Sequence, residues 1–533
     1  MRALLPAALG VLLGLAGCAV PPPSAYVKSF AAQKPAAQTA IGKNAVGEAC
    51  TLEPIDAGAD IFCGTWQQPS ARVRAGEAVA AGDLARIATA SPWRAGIDQR
   101  YECQAPAATT ILDGHPAELL QCTQRRGGWP HVALVALIGG HVWYADGVLP
   151  AAPVMQRAIG VRAGLIGADA APPSSAADAL LATRLAAQSV RSGDIGQFDT
   201  LMAAGTRANL ADNPAAAEAA FRAALALQQK ALGHDNPNTA TAMMTLALQL
   251  SDEGRYAEAA SLFTRAGQLA PSSADALAPA RLLHYRALDA LNQGHADAAL
   301  ALLKQAEAGY AALLPPSALT ARRRSAARLG GPGATLIPDQ DLLADPAGQA
   351  ALLGLIETRR NEALVLRQLG KLDESRTMLA SASDLAEANG LARPILAARL
   401  YRTSGVTAAA AGDASLALAD LAQSTAAFGR ALPDSKPLAD TYLLRASELA
   451  RAGREAEALP LCRSAVAALI ALKAGTTPTL MEPCLAAYGT AADATTEPHA
   501  KQALLAEMFG AAELAQGGIT SQQIAQATAR LQE

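Results

Sequence analysis

The sequence predicts a mainly α fold, a solenoid of about six helical hairpins preceded by a small α+β domain with an antiparallel sheet. Three observations predict it. Alanine and leucine dominate while aromatics make up only 4% of the 533 residues, a balance that favours close-packed helices. All four tryptophans, Trp66, Trp93, Trp129 and Trp143, fall in one early stretch, which marks it as a region of different build. From about residue 176 onward, alanine-rich segments are broken at recurring intervals by Gly, Asp-Gly or Asn-Pro, the punctuation of repeated helix pairs.

The first seventeen residues read as a signal peptide: Arg2 supplies a positive charge, Leu4 to Leu15 an apolar run, and Leu15-Ala16-Gly17-Cys18 a cleavage box. The run is too short for a bilayer-spanning helix, which needs about 20 residues. The box resembles the lipobox of bacterial lipoproteins. That resemblance implies cleavage before Cys18, acylation of its thiol and new amino terminus, and an exported, lipid-anchored protein; Ala19, in place of an aspartate, implies the outer membrane. Residues 18–44, with Pro21-Pro22-Pro23-Ser24 and an alanine- and glutamine-rich continuation, are expected to form a flexible tether.

Residues 45–170 are expected to form the α+β domain. Short apolar or alternating runs at Thr109–Leu112, Glu118–Thr123, His131–Ile138 and His141–Tyr144 are separated by Asp113-Gly114, Gly127-Gly128 and Gly139-Gly140, which is hairpin punctuation. Ala78–Ala88 and Pro153–Leu165 read as helices, and Pro172-Pro173-Ser174-Ser175 as a linker.

The net charge of −3 gives no global electrostatic bias, and nucleic acid is excluded as an expected partner because phosphate binding needs a concentrated basic surface. Setting Cys18 aside leaves six of the seven cysteines, an even number suited to an oxidising compartment. Local pairing predicts Cys50 with Cys63, Cys103 with Cys122 and Cys462 with Cys484, among 15 connectivities that six cysteines allow. No C-x-x-C spacing or companion histidine pair points to zinc, and no cofactor or metal is expected.

Residues 176–533 carry the repeats, interrupted by a long loop at about 314–348 that contains Arg322-Arg323-Arg324 and Gly330-Gly331-Pro332-Gly333. The clearest unit runs Leu246, Ala247, Leu250, Gly254, Tyr256, Ala259, Phe263, Ala266 and Pro271, placing small residues where two antiparallel helices touch. The frame recurs on Gly294, Gly370, Gly412 and Gly453, with Gly405, Ala408, Ala417 and Leu421 around the third, Ala446, Leu449, Ala458 and Cys462 around the fourth, and Ser375 in an alanine position around Gly370. Ala215–Leu232 reads as an earlier helix, and Leu303 and Leu379 as fillers between hairpins. This pattern resembles the tetratricopeptide repeat, and Gln228–Ala240 resembles the longer-loop subtype of kinesin light chains. Ile356–Gly370 and Met508–Leu531 are similar to the repeat region of bacterial CHAT-domain proteins, whose caspase-like peptidase follows the repeats. That family's histidine and cysteine have no matching positions before Glu533, so its peptidase activity is not carried over, and a regulatory role beside a separate peptidase is the alternative expectation.

The tetratricopeptide resemblance implies a peptide-binding groove lined by the first helix of each hairpin. Projecting the frame places Arg281, His284, Glu357, Arg360, Arg367, Arg399 and Arg402 there, and the arginine excess predicts a protein or peptide ligand carrying carboxylates. An enzyme is not expected. Its strongest sequence basis would be a thiolate and imidazole drawn from Cys103 or Cys122 with His115, His131 or His141, an arrangement that disulfide formation removes. The expected function is thus a membrane-anchored interaction scaffold.

Overall fold

The computed structural model describes residues 38–64, 68–168, 175–187, 190–320, 346–391 and 394–532. The signal segment with Cys18, most of the tether, Pro172-Pro173, and residues 321–345 of the long loop with the arginine triplet at 322–324 lie outside the described residues.

Nine antiparallel strands form the first region: β1 (Thr39–Lys43), β2 (Ala49–Ile55), β3 (Gly58–Cys63), β4 (Ala71–Ala78), β5 (Tyr101–Cys103), β6 (Ala107–Ile111), β7 (His115–Gln124), β8 (Pro130–Ile138) and β9 (His141–Val148). Their order is β1-β2-β3-β4-β9-β8-β7-β5, with β6 also paired to β7. The long apolar run of β8 is explained by cover on both faces. Val132 and Leu134 join a core completed by Val154, Met155, Ala158 and Ile159 of a helix at Ala152–Arg162. Ala133 and Val135, one step out of phase, face Leu84, Ile87 and Ile97 from α1 (Leu84–Thr89) and α2 (Pro92–Asp98). We label the Ala152–Arg162 helix α3.

Two expectations for this region are corrected. The tether does not reach residue 44, because Ile41 is fully buried and β1 pairs with β2 through Thr39 and Leu52. Ala78–Ala88 is not one helix: Ala78 ends β4, pairing with His141 of β9, and the helical turn of α1 begins at Leu84. Alanine satisfies helix and strand alike, so ladder pairing decided the outcome.

The sheet and the helices beyond it share one continuous core from Ile41 to Leu282, so the Pro/Ser stretch does not separate independent units. In α4 (Ala176–Ala187), Leu181 is fully buried and Arg184 donates to Gln121 Oε1 and to the Cys122 carbonyl. Next come α5 (Ser192–Leu210) and α6 (Pro214–Leu232), and the sheet's β7–β8 turn inserts against them. Trp129 packs edge-on to Phe198 at 5.6 Å, Gln228 Nε2 donates to the Gly127 carbonyl at 2.6 Å, and Gly128 lies against the side chain of Asn238. The sheet therefore covers the apolar end of the solenoid, the role a terminal cap must fill.

The solenoid continues as α7 (Ala240–Asp252), α8 (Tyr256–Leu269), α9 (Ala278–Asn292), α10 (Ala296–Ala311), the short α11 (Pro316–Leu319), α12 (Pro346–Gln368), α13 (Leu372–Ala388), α14 (Pro394–Ala410), α15 (Ala414–Ala431), α16 (Lys436–Arg451), α17 (Glu455–Leu472), α18 (Pro478–Ala494) and α19 (Pro498–Gln532). Among the described residues these pair as seven hairpins, α5/α6 through α18/α19, one more than the recurring frame indicated. The frame is visible in the packing. Leu246, Ala247, Leu250, Ala259, Phe263 and Ala266 are buried, and Tyr256, more exposed, donates its hydroxyl to the Asn292 carbonyl of the next hairpin. The turns pass through Gly254, Gly294, Gly370, Gly412 and Gly453 at φ between +70° and +80°, where a side chain would strain the backbone. Ser375 fills its alanine position without penalty because its hydroxyl donates to the Ala363 carbonyl at 2.7 Å. Across the long insertion, α10 packs directly on α12.

The cysteines are joined as Cys50–Cys63 across β2 and β3, Cys103–Cys122 across β5 and β7, and Cys462–Cys484 between α17 and α18. Among the described residues no helix is long and apolar enough to cross a membrane.

Candidate functional site

The first helices of successive hairpins, α7, α9, α12, α14, α16 and α18, lie side by side, so residues repeated on them form one continuous face. Three of these helices carry a polar pair at i, i+3 spacing, one turn apart on the same side: Arg281 and His284, Glu357 and Arg360, Arg399 and Arg402. Stacking the helices brings the pairs together.

Glu357 is the hub. Its Oε2 accepts from Arg360 Nε at 2.7 Å and its Oε1 from Arg399 at 2.9 Å. Burial opposes ionisation of this carboxyl, but the two arginines outweigh it and hold its pKa at about 2. Arg360 also donates to Asn361 Oδ1 at 2.8 Å. His284, 6% exposed, sits between Thr358 Oγ1 at Nδ1 and Asn361 Nδ2 at Nε2, and burial pushes its pKa down to about 4, so the ring is neutral at physiological pH. Arg402 lies over the ring of Phe428 at 5.5 Å and reaches the Pro437 carbonyl at 3.5 Å. Burial, helped by the charge of Arg360, lowers its pKa to about 10, which leaves it charged at neutral pH.

Four of the seven residues projected from the sequence, His284, Glu357, Arg360 and Arg399, thus share one hydrogen-bonded network, while Arg402 bonds the neighbouring Pro437 carbonyl instead. Arg281 is turned partly aside by an ion pair with Asp275 at 2.6 Å. Arg367 stands apart on α12, half-buried, its Nε donating no hydrogen bond among the described residues. The projected arginine excess is also smaller than the sequence implied, since Asp275 neutralises Arg281. Sequence reasoning missed Asn361, Thr358, Phe428 and the Lys436–Asp440 pair, 3.0 Å apart on α16. Lys436 and Asp440 were accessible in principle, being an i, i+4 pair on the next first helix.

A second polar site lies in the sheet region. The face covered by α1 and α2 is apolar beneath them and turns polar where the strand ends meet α5, leaving a cleft of about 250 Å³ lined by residues including Arg72, Arg100, Tyr101, His131, Asp146 and Asp199. The His131 ring stacks on Tyr101 with centroids 3.7 Å apart, and Arg100 lies over the other ring at 5.1 Å. Burial lowers the His131 pKa and raises that of Tyr101 to about 12. Cys122 does stand opposite His131 in the β7–β8 register, but its sulfur is bonded to Cys103, so no thiolate is present to pair with the imidazole. His115 and His141 pair with Ile111 and Ile138 at hairpin turns, away from His131. Among the described residues no group of three or more His, Cys, Asp or Glu side chains is placed to hold a metal ion.

Residues 199–272 match the sequence profile of the tetratricopeptide repeat family. No curated protein matches the sequence. Solved structures similar to this one include BtubC (BKLC) from P. vanneervenii, at 14% identity over 53% of this chain and 94% of that one with a TM-score of 0.33. A putative kinesin light chain from Podosopora anserina with nearly identical TPR-like repeats aligns at 16% identity over 44% of this chain and 96% of that one, TM-score 0.29. A Rap protein complexed with Competence and Sporulation Factor aligns at 11% identity over 63% of this chain and 99% of that one, TM-score 0.26. The profile match identifies tetratricopeptide repeats at residues 199–272, and the hairpins beyond them continue a TPR-like helical solenoid.

Proposed function

We propose that this protein is an interaction scaffold whose first-helix face captures an acidic segment of a protein partner, and that it works in the cell envelope, held to a membrane through a lipidated Cys18. One observation carries the binding reading. Arg360 and Arg399 share a single carboxylate, Glu357, and Arg402 lies one turn beyond Arg399 with no ion pair among the described residues, so fixed positive charge is left over in a half-buried setting. Guanidinium groups already held in place lose little freedom on meeting a carboxylate, and such charge-assisted bonds are among the stronger polar contacts. The Leu15-Ala16-Gly17-Cys18 box supports the anchoring reading, and the three disulfides suit an oxidising compartment.

Each half has its own test. For anchoring, the full chain expressed in a bacterium that processes lipoproteins should incorporate labelled palmitate and fractionate with membranes, and Cys18→Ser should abolish both. For capture, fluorescence anisotropy should show a decapeptide of alternating Asp and Gly binding the purified chain at least tenfold more tightly than its Lys and Gly counterpart. Equal binding of the two peptides would remove the acidic-segment reading.

A further inference from the structure

We infer that the solenoid face takes an extended segment in which acidic and apolar side chains alternate, its carboxylates on the arginine row and its apolar side chains on a second row made by Leu288, Leu364 and Val406. Such selection rests on the acidic-segment reading proposed for the same face, and it decides which acidic segments would be accepted.

The second row follows from the repeat. One turn beyond His284, Arg360 and Arg402, at i+4 on the same side of each helix, stand Leu288, Leu364 and Val406. Each is half-buried. Leu282, Leu366 and Leu400 of the same helices are buried in the hairpin cores, to which none of the three belongs among the described residues. Hydrogen bonds of Asn361 with His284 and of Arg399 with Glu357 hold α9, α12 and α14 side by side, so the three apolar side chains form a stripe alongside the charged one. The stripes lie about 6 Å apart, the rise of four helical residues.

The apolar stripe is confined to the helices that carry the polar pairs. Its three side chains each stand six residues before the turn glycine of their hairpin; at that position α7 has Leu248, packed on the core, and α16 has Ser447, buried. One turn further along, the row mixes Leu291, Arg367 and Ala409, so the stripe is one side chain wide on each helix.

Charge and shape together name the occupant. Arg360 and Arg399 share one carboxylate, Glu357, and Arg402 has no ion pair among the described residues, so one edge of the face is left positive. The side chains of the other edge offer no hydrogen-bonding group. A uniformly acidic segment would press carboxylates against that apolar edge and lose hydration without compensation, and a uniformly apolar one would leave the arginines unmatched. In an extended chain consecutive side chains point to opposite sides. A segment alternating Asp or Glu with Leu, Ile or Val therefore meets both rows at once.

The test uses the purified full chain and fluorescence anisotropy with four decapeptides: alternating Asp-Leu, alternating Asp-Gly, alternating Lys-Leu, and a block of five Asp followed by five Leu. The alternating Asp-Leu peptide should bind at least tenfold more tightly than each of the other three. In the double variant Leu364→Ser, Val406→Ser, with helical content unchanged by circular dichroism, its advantage over Asp-Gly should shrink to about threefold or less, while the affinity for Asp-Gly stays within about twofold of wild type. If Asp-Gly binds and Asp-Leu binds no better, the apolar row is overturned and the acidic-segment reading stands; if neither binds, both fall. Equal binding of the block or the Lys-Leu peptide, or an advantage fully retained in the double variant, also overturns the alternating pattern.

Discussion

Asn361 Nδ2 meets His284 Nε2 at 2.7 Å, joining α12 to α9 across 77 positions of sequence. The rest of the network fixes the proton. Thr358 donates its hydroxyl to the Gly354 carbonyl at 2.7 Å, so toward His284 Nδ1 it can only accept. Asn361 uses its Oδ1 on Arg360, leaving its amide to donate to Nε2. Nδ1 therefore carries the hydrogen, and the ring is the neutral tautomer.

Acid should attack this contact. The folded pKa of His284, about 4, lies below the ordinary 6.5, so the unfolded chain takes up the proton first. Its contribution is full above about pH 6.5 and is lost as the pH falls toward 4, by about 3 kcal/mol at the limit. Denaturant unfolding at pH 7 and pH 4.5 should show a loss in the wild type that is clearly smaller in His284→Gln. An identical loss in both would contradict the assignment.

Glu362 should behave in the opposite sense. Fully buried beside Glu307, with Lys304 and Arg359 also near, its carboxyl is pushed up to about 8, chiefly by burial and then by the Glu307 charge. Because the folded value is raised, the folded state is favoured most below about pH 4.5 and loses stability as the pH rises to about 8. Glu362→Gln is expected to raise the melting temperature at pH 8 by several degrees, equivalent to about 1–2 kcal/mol, and to change little at pH 4. Melts at the two pH values check the sign.

The junction between sheet and solenoid makes a third expectation. A Cβ on Gly128, at φ +70°, would fall 1.9 Å from the Asn238 Cβ, and the backbone conformation itself disfavours a side chain. Gly128→Ala should cost about 2–3 kcal/mol, and Trp129→Ala about 3–5 kcal/mol. Since the core is continuous, sheet and first hairpins should melt together, with near-ultraviolet dichroism from the tryptophans and far-ultraviolet dichroism from the helices changing at the same temperature. Two separated transitions in the wild type would argue against a shared core.

Reduction should loosen the last hairpins. The Cys462–Cys484 bond closes a 22-residue separation, and a loop of that size is worth about 3 kcal/mol. Cys462→Ser with Cys484→Ser is expected to increase hydrogen exchange in α17 and α18 while leaving the sheet unchanged, whereas uniform exchange along the chain would place the effect elsewhere. Non-reducing peptide mapping should recover the three local pairs.

Much of this was legible in the sequence, and what was missed has identifiable causes. The repeat frame located the turns and the buried small residues because steric fit at helix crossings leaves a fixed spacing. Gly405, for example, lies so close to Leu421 that a Cβ would come within 2.8 Å of it. The β7–β8–β9 strands were readable from apolar runs between paired glycines. The first strands were not, since β1 buries only Ile41 and β4 alternates alanine and valine with arginine. At the solenoid face, i, i+3 spacing collected six site residues but could not supply their partners: Asp275 comes from a loop and Phe428 from a second helix. Those depend on distances between hairpins, which no local pattern encodes. The cleft between the sheet and α5 was hidden for the same reason, because Asp199 and His131 come to line one space only when the sheet docks on α5.

The measurement closest to the central claim is a salt-dependent anisotropy titration of the acidic decapeptide against wild type and the double variant Arg399→Glu, Arg402→Glu. The account predicts saturable binding to the wild type that weakens as salt rises and at least a hundredfold loss in the double variant, with helical content unchanged. Binding that is insensitive to both salt and charge reversal would contradict it.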